Sequence, residues 1–248
     1  MHFTFAVFFN FVIRLLPLIA GLGLLITGIV ITAGKKKSVK VLGIGYIISS
    51  VSVIMSACSV FLVRMLPIRI YSNFSAGLTL VSFLCGIGSL VCICIFIHKN
   101  YGKKLIYIPV LAVYIGGYII NRIVLVLLSK VIVERNFAMW LSMVQSIDAF
   151  VIGAAVSLII IIVFYKNRNN ENVIPKMWLF ETVALVIGVS ETLVRVIYYL
   201  SIINNHRIAS SYDNVISLIM GISALAAVIT PIYVTAMVHS GRSTPAQV

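Results

Sequence analysis

Residues 138–164 read AMWLSMVQSIDAFVIGAAVSLIIIIVF, and the only charged side chain in this long apolar run is Asp148. A helix needs roughly 20 mostly apolar residues to cross the hydrocarbon of a bilayer. The strands of a membrane barrel would instead alternate apolar and polar residues, and this run does not alternate. The run therefore predicts a membrane-spanning helix.

Six further runs of the same kind lie on both sides of this one. Together the predicted spans are 11–32, 41–63, 74–97, 105–128, 138–164, 177–203 and 214–238. The connections between them are short, and little sequence is left for a domain in water. We therefore predict an all-α integral membrane protein in which residues 1–248 form one domain, a seven-transmembrane helix bundle.

The composition agrees with a lipid environment. Hydrophobic residues make up 61% of the chain and charged residues 10%, with a mean hydropathy of +1.14. A soluble domain carries about a quarter charged residues, so this chain has too few polar groups to cover a surface in water. The lipid bilayer is its expected partner. The net charge of +13 could suggest nucleic acid, but the basic residues lie between the spans, and we expect no nucleic-acid binding.

Lysine and arginine are unevenly shared between the two sides. The first, third and fifth connections and the C-terminal tail together carry eleven lysine and arginine residues. The second, fourth and sixth connections carry five, and the segment before the first span carries none. Short cytoplasmic loops are enriched in lysine and arginine. The count predicts that the N-terminus is outside and the C-terminus is inside, in what we expect to be the plasma membrane.

No pattern for catalysis, a cofactor or a metal is present in the sequence. The four cysteines, Cys58, Cys85, Cys92 and Cys94, fall inside predicted spans, away from an oxidising compartment, so we expect no disulfide. The histidines lie at or beyond the span ends and lack the spacing of metal ligands. We assign no catalytic residue, no metal and no cofactor, and an enzyme is the less favoured interpretation.

Ionisable residues inside the spans are the strongest functional signal, because such groups are costly in hydrocarbon and mark functional sites or buried pairs. There are six of them: Arg14, Arg122, Asp148, Glu181, Glu191 and Arg195. Five fall at the midplane or in the half predicted to face outward. Glu181 stands alone near the predicted inner end.

Helical spacing brings several of these residues onto shared faces. Glu191 and Arg195 are four residues apart and are expected to touch on one helix face. Polar side chains accompany the charged ones on the fourth and fifth spans. The predicted ligand-binding residues are Arg122, Asp148, Glu191, Arg195, Tyr118, Asn121, Gln145 and Arg14.

The same residues allow two interpretations. One is a single outward-open pocket for a small polar or anionic ligand, and the other is a set of buried ion pairs that fix helix packing, with Arg14 reaching to the interface. The first favours a sensor or receptor-like protein that signals through a membrane or cytoplasmic protein partner. A transporter or transporter subunit is the alternative, and a structural or assembly subunit of a membrane complex is the second alternative. No motif in the spans identifies a known family.

Overall fold

Seven long helices make up most of the chain. The computed structural model describes residues 5–34, 37–62, 68–131, 137–169, 174, 176–204 and 209–239. Within these ranges the helices are α1 (Phe5–Ala33), α2 (Lys37–Leu62), α3 (Ile68–Tyr101), α4 (Tyr107–Val131), α5 (Phe137–Lys166), α6 (Met177–Asn204) and α7 (Ala209–His239), and a 3₁₀ turn at Lys104–Ile106 precedes α4.

Each predicted span corresponds to one of these helices, and all seven are long and apolar enough to cross a membrane. Several helices extend beyond the predicted spans. Helices α1, α3 and α7 begin at Phe5, Ile68 and Ala209, each before the apolar run that predicted it. A helix continues through polar and aromatic residues beyond the hydrocarbon, whereas the apolar run marks only the part suited to lipid. The four cysteines are free thiols, as expected.

The helices form a closed ring. Each helix packs against the next one along the chain, and α7 packs against α1. The α1–α2 interface is the most extensive and the α3–α4 interface is the least extensive of these seven. Neighbouring helices in sequence are therefore neighbours in space, as their short connections require.

One large hydrophobic core lies at one end of this ring. It contains buried residues of all seven helices, among them Ile31, Leu42, Phe96, Val110, Phe164, Met177 and Val234. The contributions come from the last turns of α1, α3, α5 and α7 and from the first turns of α2, α4 and α6. The helices therefore alternate in direction. We call this end the lysine-rich end, after Lys37, Lys99, Lys103 and Lys166 at its helix termini and connections, and the other end the opposite end.

Aromatic contacts tie α3 to α5 across this core. The ring centroids of Phe96 and Phe164 are 6.5 Å apart, and those of Tyr101 and Phe164 are 5.7 Å apart. A smaller cluster, formed by Ala20, Leu24 and Val228, joins α1 to α7, and Tyr46 of α2 packs against both clusters. The described residues form no core of comparable size at the opposite end.

Helices α1 and α2 approach closely enough to require glycine. A Cβ atom on Gly43 would lie 2.8 Å from the carbonyl oxygen of Gly28, and one on Gly28 would lie 2.9 Å from the carbonyl oxygen of Gly43. Small residues allow membrane helices to pack with their backbones in contact. The two glycines therefore account for the extent of the α1–α2 interface.

Candidate functional site

The first cavity lies between α5 and α6 and has a volume of about 490 Å³. We call it the α5–α6 cavity. Its walls combine small, hydroxyl-bearing, aromatic and charged side chains. They are Gln145, Ser146, Ala149 and Phe150 on α5, and Gly188, Glu191, Thr192, Arg195 and Tyr199 on α6. Ala149 and Gly188 explain the open space, because alanine has only a methyl group and glycine has no side chain.

An ion pair faces this cavity. The Nε atom of Arg195 donates a hydrogen bond of 2.9 Å to Oε1 of Glu191, and Nη2 donates to the same oxygen. The two side chains are 26% and 18% exposed, respectively. The contact predicted from the four-residue spacing is therefore present. Within the described part of the chain, neither Oε2 of Glu191 nor Nη1 of Arg195 has a hydrogen-bond partner.

The second cavity lies between α4 and α5, reaches Thr79 of α3, and has a volume of about 450 Å³. We call it the α4–α5 cavity. Its other lining residues are Tyr114, Tyr118, Asn121, Arg122 and Leu125 on α4, and Gln145, Ala149, Ile152 and Gly153 on α5. Gln145 and Ala149 line both cavities, so the two spaces are adjacent.

Two tyrosine rings, Tyr114 and Tyr118, form one wall of the α4–α5 cavity, and a phenylalanine of α3 supports both. Phe83 of α3 stacks on Tyr118, with ring centroids 4.0 Å apart, and also on Tyr114, at 5.8 Å. The hydroxyl end of Tyr114 lies against Gly86, where a larger residue would displace it. These contacts hold α3 against α4 where their interface is otherwise small.

Arg122 has a different environment from Arg195. Its Nε and Nη2 atoms donate to the hydroxyl of Tyr118 at 3.1 and 2.8 Å. The side chain is exposed, and no carboxylate among the described residues lies within ion-pair distance of it. This guanidinium can therefore accept an anion without first breaking an ion pair.

Two buried oxygen atoms near this site lack hydrogen-bond partners: Oδ1 of Asn121 and Oδ2 of Asp148. A buried polar atom without a partner is costly and marks a place that a donor from water or a ligand can fill. Asn121 lines the α4–α5 cavity, but Asp148 is not among the lining residues of either cavity. Asp148 lies one helical turn from Ile152, which packs against Gly117 of α4.

The structure thus separates the residues that the sequence analysis placed in one pocket. Gln145, Glu191 and Arg195 line the first cavity, whereas Gln145, Tyr118, Asn121 and Arg122 line the second. The two spaces meet at Gln145 and Ala149, which share one face of α5 and line both cavities. The side chain of Arg14 lies outside the described residues.

Other lining residues were not among the predicted ones. Thr192 lies three residues before Arg195 and Tyr199 lies four residues after it, a spacing that could have indicated both. Ser146 is adjacent to Gln145 and has no such spacing. Phe83, which stacks on two lining tyrosines without lining a cavity itself, carries no such signal, because it is one apolar residue among many on α3. Glu181 of α6 interacts electrostatically with Tyr46 of α2, across the ring, and has no basic partner among the described side chains.

No family model, no curated protein and no solved structure matches this chain.

Proposed function

We propose that this chain is an integral membrane protein that binds a small polar ligand with an anionic group from the outer side, in the manner of a sensor or receptor. The observation that carries the proposal is the cavity of about 490 Å³ beside the Glu191–Arg195 pair. Ligand sites commonly have volumes of about 300–1,000 Å³ and a few convergent polar groups. Arg195 supplies the positive charge, and its Nη1 atom is free of protein partners within the described residues.

The direction of entry follows from the positions of the core and of the basic residues. The core fills the lysine-rich end, and lysine-rich ends of membrane proteins face the cytoplasm. The cavity residues of α6 extend to Tyr199, close to the end of that helix at Asn204. Access from the opposite end therefore requires no opening of the core.

Transport is the second candidate, and Glu181 is the observation that favours it. This carboxylate lies in the first two turns of α6, nearer to the lysine-rich end than the residues that line either cavity. Transporters place substrate and coupling-ion sites within the bilayer, and carboxylates commonly serve the coupling ion. A polar position between the cavities and the lysine-rich end is one that a sensor does not need. A structural or assembly subunit would need neither a ligand cavity nor a carboxylate at this position.

Binding and flux distinguish these candidates. The full chain in lipid nanodiscs is titrated calorimetrically with glycine, alanine, succinate and phosphate as probes. We expect at least one carboxylate probe to bind, and Arg195→Gln to weaken it about tenfold or more, because a hydrogen bond to a charged group contributes about 1.5–3 kcal/mol. Arg168→Gln is the matched control for the loss of one arginine, because Arg168 lies against Tyr165 and lines neither cavity.

The same radiolabelled probe is then offered to proteoliposomes. Binding without uptake supports the sensor, whereas uptake that Glu181→Gln abolishes supports the transporter. If no probe binds the wild-type protein, or if Arg195→Gln binds as tightly as wild type, the proposed site is wrong, and ion pairing for helix packing is the better interpretation.

A further inference from the structure

The two cavities meet at one short stretch of α5. Among the described residues, Gln145 and Ala149 of α5 alone line both spaces, and both side chains are exposed. Alanine adds one methyl group beyond the backbone, and glutamine is a flexible side chain. A ligand in one cavity can therefore extend past Ala149 into the other.

The α5–α6 cavity offers one charge of each sign at one place. Both donors of Arg195 that reach Glu191 converge on Oε1, which leaves Oε2 and Nη1 to face a ligand. A simple anion would use only Nη1 and would be repelled by Oε2. A group that carries an ammonium and a carboxylate close together satisfies both atoms, and charge-assisted hydrogen bonds of this kind are among the strongest in proteins.

The α4–α5 cavity offers an aromatic wall and one unsatisfied acceptor. Tyr114 and Tyr118 supply the wall, and Phe83 holds Tyr118 in position from α3. Aromatic walls favour flat rings, which gain from edge and stacked contacts. The buried Oδ1 atom of Asn121 needs a donor, so a ring that bears an N–H or O–H group fits better than a plain hydrocarbon ring.

We propose that the two cavities form one bipartite site for an aromatic zwitterion, a molecule built like an aromatic amino acid. This proposal rests on the proposed ligand-binding function and names its ligand class. The ammonium group binds Oε2 of Glu191 and the carboxylate binds Nη1 of Arg195. The ring lies in the α4–α5 cavity and donates to Asn121.

A panel of related probes tests each part of the ligand in nanodiscs by calorimetry. Tryptophan carries all the parts, tryptamine lacks the carboxylate, indole-3-propionate lacks the ammonium and alanine lacks the ring. We expect each deletion to weaken binding about tenfold or more. Tyrosine and phenylalanine differ by one hydroxyl, and we expect tyrosine to bind more tightly because only it can donate to Asn121.

Three glycines provide matched variants, since a Cβ atom at Gly153, Gly188 or Gly116 meets nothing within 4 Å. Gly153 lines only the ring cavity, Gly188 lines only the charged cavity, and Gly116 lines neither. Gly153→Val should lower the ratio of tryptophan to alanine affinity, because it fills the space for the ring. Gly188→Val should weaken both ligands, and Gly116→Val should weaken neither.

The outcomes distinguish failure of the bipartite site from failure of the proposed ligand-binding function. If tryptophan and alanine bind equally, and Gly153→Val leaves their ratio unchanged, the bipartite site is wrong while ligand binding beside Arg195 stands. If neither these zwitterions nor the simpler carboxylate probes bind the folded protein, both proposals fail. A retained thermal unfolding transition in each variant shows that a loss of binding is not a loss of fold.

Discussion

Arg195 places two nitrogen atoms on one oxygen of Glu191, and this one-sided geometry comes from the helix itself. Residues four positions apart lie one turn apart on the same face, which is within reach of an arginine side chain. Because the pair is half-buried, it is only partly screened by water. The pair therefore stabilises the fold and leaves each partner with unused hydrogen-bonding capacity.

A double-mutant cycle measures this coupling. We expect Glu191→Gln and Arg195→Gln each to lower the free energy of unfolding by about 1–3 kcal/mol, less than for a fully buried pair. The double variant should lose less than the sum of the two, by about 0.5–3 kcal/mol. Unfolding titrations with SDS in mixed micelles give the values. Glu191→Gln combined with Arg122→Gln is the control, because these two side chains form no ion pair; equal coupling in both cycles would contradict the prediction.

Local spacing made the Glu191–Arg195 contact predictable, but it could not predict which residues meet across helices. Asp148 and Gln145 are three residues apart on α5, yet only Gln145 lines the cavities. Phe83 of α3 stacks on Tyr118 of α4, and nothing in its local sequence indicates this contact. Such contacts depend on the rotation of each helix about its axis, and a helix that is apolar on every face gives little signal of that rotation.

At the level of the elements, the sequence predicted which segments form helices. It did not predict which residues of those helices contact each other. A long apolar run is a strong signal, since any spanning segment must satisfy its own backbone hydrogen bonds. Gly28 and Gly43 could be recognised as small residues, but not as partners of each other. Their contact follows from the paths of α1 and α2, which the sequence does not specify locally.

The α1–α2 contact predicts a position-specific effect of a single methyl group. Gly43→Ala should lower the free energy of unfolding by about 1–3 kcal/mol, because the added Cβ overpacks against the backbone of α1. Gly116→Ala introduces the same methyl group into α4, where it meets nothing within 4 Å. Thermal and SDS unfolding of the two variants should therefore differ clearly. Equal stability would show that α1 and α2 do not approach in this way.

The end of α5 in the core gives a second prediction at this scale. Phe164 is 1% exposed and contacts the rings of Phe96 and Tyr101. Phe164→Ala should cost about 3–5 kcal/mol, since truncation of a packed aromatic ring leaves a cavity. Ile162, on the same helix, is 50% exposed, and Ile162→Ala should change stability by no more than about 0.5 kcal/mol. A loss of similar size in both variants would place the core elsewhere.

For the whole molecule, the alternating directions of the helices leave only two possible orientations in the membrane. All connections at the lysine-rich end lie on one side of the membrane if any one of them does. We expect that side to be the cytoplasm, because of the excess of lysine and arginine there. The sequence predicts this orientation from charge alone, whereas the closure of the ring by α1 and α7 has no counterpart in any local pattern.

Accessibility of single cysteines tests the orientation. All four native cysteines are first replaced by serine, and one cysteine is then introduced at a time. Lys103→Cys lies in the connection before α4, and Glu134→Cys lies between α4 and α5 in the sequence. A membrane-impermeant maleimide added to intact cells should label Glu134→Cys and spare Lys103→Cys. Permeabilised cells should show both labelled, as the control. Labelling of Lys103→Cys in intact cells would reverse the assignment.

The parity of the ring has a consequence for the chain ends. An even number of alternating helices can close with every neighbouring pair antiparallel, but seven cannot, so α1 and α7 are neighbours that run in the same direction. Their free ends therefore lie at opposite ends of the bundle, although the two helices touch. At 1.5 Å per residue, α1 alone extends over about 40 Å. A circular permutant that joins the end of α7 at His239 to the start of α1 at Phe5 therefore cannot use a short linker; it would need an eighth crossing segment.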